Sequence, residues 1–257
     1  MQPEGPTGSS VLQDEAVRIV DAGKETGVPL RIHAAVAIAY HCPRYRHIME
    51  AMGRRLGDID LASYDKFSSR IPPLIDSLGY QEDVTVSAFG GRRLVFRRRG
   101  DGLHCDVFLG KLEMSHTLSF EGRLEIDYPT LPLADLLLSK MQIFRLNQKD
   151  VVDTVVLLRE HAVGGEKPET VDALYVSRLC SRDWGLWRTV TGNLAKVSTL
   201  LKDFASLDDW DKADVNAKID DLKRALEDSP KSLSWKVRAR VGESRKWYND
   251  VEDLYRG

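Results

Sequence analysis

The chain has 257 residues, of which 42% are hydrophobic and 30% are charged, and its net charge at pH 7 is −2. Such values are typical of a globular protein with one large core or two smaller ones. The near-neutral charge excludes an overall basic field that would attract nucleic acid. No apolar run approaches the roughly 20 residues of a membrane span, so we expect no membrane partner.

The N-terminus and the cysteines bear on the compartment. Residues 1–9 are predicted to be a disordered lead-in, and the first ten residues lack the apolar stretch of a signal peptide. Cys42, Cys105 and Cys180 are few and far apart, which argues against a disulfide framework and favours a reducing cytoplasm. The pairs His41-Cys42 and His104-Cys105 lack the ligand spacing typical of zinc sites.

The first part of the chain is predicted to alternate helices with extended segments. Ser10 and Gln13 form a capping-box pattern, which predicts a helix that ends near Gly27. The following elements are an extended segment over 28–32, a buried helix over 34–40, a loop or short helix over 44–57, a strand over 58–62, and a helical pattern over 65–78 that Pro72 and Pro73 must break or restart.

Strand signals dominate the middle of the chain, and helical signals its end. Strands are predicted over 84–89, 92–98 and 103–109, with glycine-containing separators at 90–91 and 100–102, as in hairpins. A further pair is predicted over 114–120 and 123–126, followed by helices over 131–146 and 149–161. From about residue 168 strand signals vanish, and apolar residues spaced by three and four predict helices. The predicted fold class is α+β, with an α-helical domain over 166–257.

Three aspartates mark the candidate site. Asp58 and Asp60 are two residues apart in a predicted strand, so their side chains share one face. Asp106 shares a face with His104 and Phe108 in a second predicted strand. Three carboxylates brought together would repel one another, and a divalent cation such as Mg²⁺ removes that cost. The pattern predicts metal-dependent phosphoryl or nucleotidyl transfer; a solvated strand end is the alternative for Asp58 and Asp60.

The order of the motifs is more specific than any one of them. A helix is followed by a strand and a turn of small residues at 32–37, by Arg-x-x-x-Asp-Ile-Asp-Leu from Arg54, by hairpins that carry a third aspartate, by a Leu-rich segment with Lys140, and by Lys-Asp-x-x-Asp from Lys149. This order resembles the polymerase-beta-type nucleotidyltransferase superfamily, and within it the small bacterial branch that includes the AbiEii-like toxins. The resemblance covers roughly residues 12–162.

The resemblance implies a nucleotidyltransferase-like domain over 10–165, built on a mixed sheet with flanking helices. It implies that Asp58, Asp60 and Asp106 are catalytic and hold two Mg²⁺ ions, or Mn²⁺ in their place, while a nucleotidyl group passes from an NTP to a hydroxyl. The acceptor would be a small molecule, a protein or an RNA. The implied nucleotide- and phosphate-binding residues are His33, Ala34, Ala35, Arg54, Arg55 and Lys140.

Other interpretations stay open for individual residues. His33 is also explained as a hydrogen-bonded histidine at a turn, and Lys140 as a lysine that reaches water from a helix edge. Asp150 and Asp153 are one helical turn apart, which favours a structural role against arginine or lysine neighbours.

Two departures from the family pattern support a second hypothesis. The family usually has Gly-Gly or Gly-Ser where this chain has Ala34-Ala35, and often a threonine where it has Leu56. Glycines at such a turn let the backbone approach phosphates closely. The alternative is therefore a catalytically degenerate nucleotidyltransferase-like module that binds a partner protein or regulates one. A toxin of a two-gene system is a third interpretation.

Overall fold

A mixed five-stranded sheet forms the centre of the first part of the chain. The computed structural model describes residues 8–89, 92–165 and 167–251. The strands of this sheet are β1 (Arg31–His33), β2 (Asp58–Ser63), β3 (Tyr80–Glu82), β4 (Arg93–Arg98) and β5 (His104–Leu109). Their order is β1-β2-β5-β4-β3, and β2 and β5 run parallel while the other neighbours are antiparallel. A mixed sheet with helices agrees with the α+β class.

The remaining strands are short, and helices supply most of the other elements. Two further strand pairs are β6 (Lys111–Glu113) with β7 (Thr117–Ser119), and β8 (Ala162–Gly164) with β9 (Thr170–Asp172). Within the described residues the α-helices are α1 (Gly8–Glu25), α2 (Ala34–His41), α3 (Arg46–Ala51), α4 (Ile71–Ser77), α5 (Val84–Phe89), α6 (Leu133–Met141), α7 (Gln148–Glu160), α8 (Ala173–Cys180), α9 (Trp184–Leu200), α10 (Asp209–Asp228) and α11 (Leu233–Val241). No helix in the described part of the chain has the length and apolar character needed to cross a membrane.

The described chain packs as two compact units. The first contains the residues up to Tyr40, Arg55–Leu112 and Leu118–Pro132, and the second contains His41–Arg54, Glu113–Thr117 and the chain from Leu133 onward. All three aspartates therefore belong to the first unit. The domain boundary at residues 165 and 166, which follows from the loss of strand signals after this point in the sequence, stays a prediction.

In the first unit, alternation along β2 and β5 separates an apolar face from a polar one. Ile59, Leu61, Cys105 and Val107 have no exposed surface, and α1 contacts β1 and β2. Burying this face stabilises the sheet by about 25 cal/mol for each Å² of apolar surface removed from water. Because successive strand residues point to opposite faces, the aspartates of these two strands lie on the other face.

The second unit is predominantly helical. Val190, Leu194 and Val197 are buried along α9, as the spacing of apolar residues predicts, and α10 buries its own apolar stripe. Helix α7 begins at a reciprocal capping box, in which the Asn147 side chain accepts from the Asp150 backbone N–H and the Asp150 carboxylate accepts from the Asn147 backbone N–H.

Several predicted elements are confirmed with small shifts of their ends: α1, α2, β2, β4, β5 and α7. Pro72 and Pro73 lie in the first turn of α4, where the missing backbone N–H groups have no intrahelical partner to lose. These prolines therefore restart the helix at Ile71, after a short 3₁₀ turn over Asp65–Phe67.

The strand predicted over 84–89 is wrong, because this segment forms α5. Asp83 initiates the helix: its carboxylate accepts from the Val86 backbone N–H at 3.2 Å, and its carbonyl accepts from Ser87 N–H at 2.9 Å. The edge strand lies just before it, as β3. The capping aspartate thus overrides the β propensity of the exposed Val84 and Val86. The separator predicted at 90–91 lies outside the described residues, as do residues 1–7 of the predicted lead-in.

Two further strand predictions are wrong. Of the pair predicted over 114–120 and 123–126, the first segment contains β7, but β7 pairs with β6. The second segment is not a strand, and the Arg123 backbone N–H closes a turn by donating to the carbonyl oxygen of Phe120 at 2.9 Å. Strand structure also continues beyond residue 168, because β9 pairs with β8 in parallel. Strands of three residues are too short for alternation to identify them.

Candidate carboxylate site

Asp60 lies directly opposite Asp106 on neighbouring parallel strands. On the other side of β2, Asp60 is opposite His33 of β1. Directly opposed residues project from the same face of a sheet, so His33, Asp60 and Asp106 form a row across three strands. Asp58 is on this face as well, one pleat earlier, opposite His104.

Arg93 forms an ion pair with Asp106 on this face of the sheet. Its Nη2 lies 2.8 Å from Asp106 Oδ2, and its guanidinium lies 5.8 Å from the centre of the Phe108 ring. The second oxygen, Oδ1, is buried and accepts no hydrogen bond from the described residues. Asp106 therefore has one oxygen bound to arginine and one buried oxygen whose hydrogen-bonding capacity is unused.

Burial of the Asp106 carboxyl favours its protonated form. Only 7% of the residue is exposed, and burial raises the pKa of its carboxyl above the ordinary value. The charge of Asp58 raises the pKa further, whereas Arg93 and His104 lower it. An additional cation at this face would favour the ionised form of Asp106.

The three aspartates fit a cation only in part. Among the described residues, the group whose three ligand atoms lie within 4.8 Å of one another is His41, His161 and Glu169. Oxygens bound to one Mg²⁺ lie within about 4.2 Å of one another, twice the usual Mg–O distance. Asp58, Asp60 and Asp106 would therefore have to change rotamers to bind one ion together. Asp60 of β2 and the Oδ1 atom of Asp106 of β5 are the pair best placed to bind a cation, because they lie directly opposite each other on the same face.

Ala34 has a backbone conformation that favours glycine. Its φ is 56° at the junction of β1 and α2, and an L-residue in this left-handed region is strained. This is the position at which the resembled family usually has glycine. The backbone thus adopts a glycine-type turn although the side chain is a methyl group.

His33 and Ala35 flank this turn and are both buried. The His33 ring makes edge contacts with two aromatic rings, Phe108 at 5.3 Å and Phe120 at 6.3 Å between centroids. Ala35 lies in the first turn of α2. The predicted phosphate-binding segment is therefore packed against the sheet on the side of the aspartates.

The other predicted phosphate-binding residues are divided between the units. Arg55 is exposed in the first unit, just before β2. Arg54 and Lys140 belong to the second unit, where both bind Asp153: Arg54 Nε at 3.0 Å and Lys140 Nζ at 2.8 Å. Lys140 Nζ is also 3.7 Å from Asp150 Oδ1. Asp150 and Asp153 thus have the structural contacts expected of them, and the phosphate-binding roles stay predictions.

Sequence reasoning missed Arg93 and the cluster of His41, His161 and Glu169. The alternation within the strand predicted over 92–98 puts Arg93 on a definite face, but its register against β5 is a tertiary property. His41 and His161 are 120 residues apart, so no local spacing connects them.

Comparison of the chain with protein-family models, with curated proteins and with solved structures gives no match in any of the three. Function is therefore to be inferred from the geometry and chemistry of specific residues.

Proposed function

We propose that the first unit contains a nucleotidyltransferase-like site that moves a nucleotidyl group from an NTP to a hydroxyl acceptor with the help of Mg²⁺ or Mn²⁺. The observation that supports this most is the register of β2 and β5, in which Asp60 is opposite Asp106 and Asp58 projects from the same face. Two strands thus supply three carboxylates to one surface, as the resemblance requires.

Asp58, Asp60 and Asp106 are the residues that would hold the metal. A divalent cation supplies charge neutralisation of the phosphates and stabilisation of the attacking and leaving oxygens. Asp106 has a further role as a general base, because its Oδ1 makes no hydrogen bond to the described residues and is able to accept the proton of the hydroxyl. Arg93 orients this carboxylate through the other oxygen.

The start of α2 would receive the phosphates. His33 is opposite Asp60, and α2 begins at the next residue, so the first backbone N–H groups of this helix follow directly on the row of polar side chains. Backbone N–H groups at a helix N-terminus bind phosphate oxygens. The left-handed conformation of Ala34 gives this turn a backbone path that glycine favours. The Ala34 Cβ narrows the space through which a phosphate would approach these N–H groups.

A degenerate binding module is the second candidate. The ion pair between Arg93 and Asp106 favours it, because a protein cation already neutralises this carboxylate. The alanine at the left-handed turn favours it as well. Such a module would keep the sheet while binding a partner protein rather than Mg²⁺ and an NTP.

Melting temperature separates these candidates. With Mg²⁺ and an NTP together, the enzyme hypothesis predicts a higher melting temperature, because the ligands bind only the folded state. The rise disappears in Asp60→Asn and persists in Asp14→Asn, which changes an exposed carboxylate of α1. Incorporation of label from an α-labelled NTP into an acceptor in cell extract identifies an enzyme, if the wild type catalyses it and Asp60→Asn does not. If Mg²⁺ and an NTP do not raise the melting temperature of the wild type, the result favours the degenerate binding module.

A further inference from the structure

We propose that His41, His161 and Glu169 form a second metal site, specific for a transition-metal ion of the zinc type, within the second unit. The Nδ1 atoms of His41 and His161 lie 3.4 Å and 3.3 Å from the same carboxylate oxygen, Glu169 Oε2. The three ligand atoms all lie within 4.8 Å of one another. Small adjustments of these side chains would place them around one ion.

The ligand types select the ion. Two imidazoles and one carboxylate suit Zn²⁺, Co²⁺, Ni²⁺ or Fe²⁺, whereas Mg²⁺ prefers carboxylate, phosphate and water oxygens. Two histidines and a glutamate also form the protein ligands of catalytic zinc sites. The ligand set of this cluster therefore differs in chemistry from the three carboxylates of the first unit.

Hydrogen bonding to the backbone orients His161 as metal-bound histidines are oriented. Its Nε2 is 3.0 Å from the carbonyl oxygen of His41. In the tautomer with its proton on Nε2, His161 donates to this carbonyl. The lone pair of Nδ1 then faces two oxygens of Glu169, the backbone carbonyl at 3.2 Å and Oε2 at 3.3 Å. Metal-ligating histidines usually donate their second ring N–H to a carbonyl or carboxylate in this way. A cation between Nδ1 and Glu169 Oε2 removes the repulsion of two facing lone pairs.

The backbone holds the ligands in place. Ala162 of β8 is the register partner of Thr170 of β9, so the preceding residues, His161 and Glu169, are brought side by side. His41 is the last residue of α2. Just beyond it, the Tyr45 backbone N–H donates to Glu160 Oε2 at 3.1 Å, which links the chain after His41 to the end of α7.

Exposure leaves room for a further ligand. His41 and His161 are buried, whereas the Glu169 side chain is 63% exposed. The ion would be held from the protein side by the imidazoles and would face solvent on the side of the carboxylate. Three protein ligands leave at least one coordination position for water or a small anionic or neutral ligand.

Cobalt binding to the full-length, metal-stripped protein tests the site. Titration with Co²⁺ is expected to give one equivalent per chain with visible absorption bands of a nitrogen- and oxygen-ligated ion, and Zn²⁺ is expected to displace it. Mg²⁺ at the same concentration leaves the bands unchanged. Glu169→Gln changes an exposed side chain, so the fold is retained, and the affinity for Co²⁺ should fall at least tenfold; His41→Gln should abolish the bands.

Matched variants make the result specific. His47→Gln removes an exposed histidine of the same unit, and Asp60→Asn alters the carboxylate face; both should bind Co²⁺ like the wild type. Binding that is absent from the wild type, or unaffected by Glu169→Gln and His41→Gln in folded protein, overturns the proposal. In that case Glu169 would be only a hydrogen-bonding partner of His41 and His161.

Discussion

Lys140 Nζ lies 2.8 Å from Asp153 Oδ2, and the guanidinium of Arg54 binds the same carboxylate. Asp153 has no exposed side-chain surface. Burial by itself would lower the pKa of Lys140, but the carboxylates of Asp153 and Asp150 raise it above the ordinary value. Two side chains that the resemblance assigns to phosphate thus stabilise a buried carboxylate between α6, α7 and the residues after α3.

Removing the shared carboxylate should destabilise the second unit strongly. Asp153→Asn leaves two buried cations with one charged partner fewer, and such changes cost about 3–5 kcal/mol. Lys140→Met should cost less, because Arg54 still pairs with Asp153. Urea unfolding measures both, with Asp220→Asn as the control, since its ion pair on α10 is exposed and is worth about 1 kcal/mol or less. Equal, small effects of all three changes would refute the role of Asp153.

At the Ala34 turn, replacing alanine by glycine should stabilise the fold, whereas within helices this change usually destabilises it. Ala34→Gly should stabilise the protein by about 0.5–1 kcal/mol, because relief of left-handed strain outweighs the greater entropy of glycine in the unfolded chain. Ala37→Gly, in the same helix at a fully buried position, should instead destabilise by about 1 kcal/mol or more. Thermal and chemical unfolding of the two variants decide the matter. The account of the turn fails if both glycines destabilise alike.

Ala34→Gly also bears on function. If phosphates approach the start of α2, removal of the Cβ should strengthen Mg²⁺-dependent NTP binding, while Ala37→Gly should not. The melting-temperature rise on addition of Mg²⁺ and NTP reports this difference.

The pH dependence of stability should contain a contribution from His116. Its Nε2 is 2.8 Å from Thr189 Oγ1. Thr189 Oγ1 accepts from Trp247 Nε1, which leaves its hydroxyl hydrogen available to donate to the lone pair of a neutral imidazole. Burial lowers the pKa of His116. In the unfolded chain the histidine has a pKa of about 6.5, so His116 binds a proton more readily in the unfolded chain than in the folded protein.

The sign follows from linkage. Where the unfolded state binds more protons, the free energy of unfolding falls as the pH is lowered. This loss begins near pH 6.5 and ends below the depressed pKa of the folded state. His116→Gln should flatten the curve between about pH 7 and pH 5, whereas His47→Gln, which removes an exposed histidine, should not. An unchanged slope in His116→Gln would show that this ring is not held neutral.

Arg93 should compete with metal for Asp106. Arg93→Met leaves a buried carboxyl without its guanidinium, so the variant should be less stable than the wild type in the absence of divalent ions. Added Mn²⁺ should then raise its melting temperature more than that of the wild type. The double variant Arg93→Met/Asp106→Asn should lose this extra rise. A Mn²⁺ response that is the same in all three proteins would mean that Asp106 does not bind the ion.

The sequence allowed the shared face of Asp58 and Asp60 to be predicted, because alternation is a local property of a strand. It did not allow the pairing of Asp60 with Asp106 to be derived, because register depends on how two distant strands pack. The segment Val84–Phe89 is predicted wrongly from a local property: its β-branched residues favour a strand. The structure has a helix there, because the Asp83 side chain caps its first turn. His161 and Glu169 meet through two three-residue strands that leave no periodic signal.

Manganese binding measured by electron paramagnetic resonance tests the carboxylate face most directly. The background is Glu169→Gln, which removes the exposed ligand of the second proposed site, and an NTP is present in excess. Saturable Mn²⁺ binding that is lost in both Asp60→Asn and Asp106→Asn, and kept in Asp14→Asn, is the predicted result. Mn²⁺–NTP binding that is absent, or that survives unchanged in both of these strand variants, would contradict a metal-binding role for the aspartates of β2 and β5.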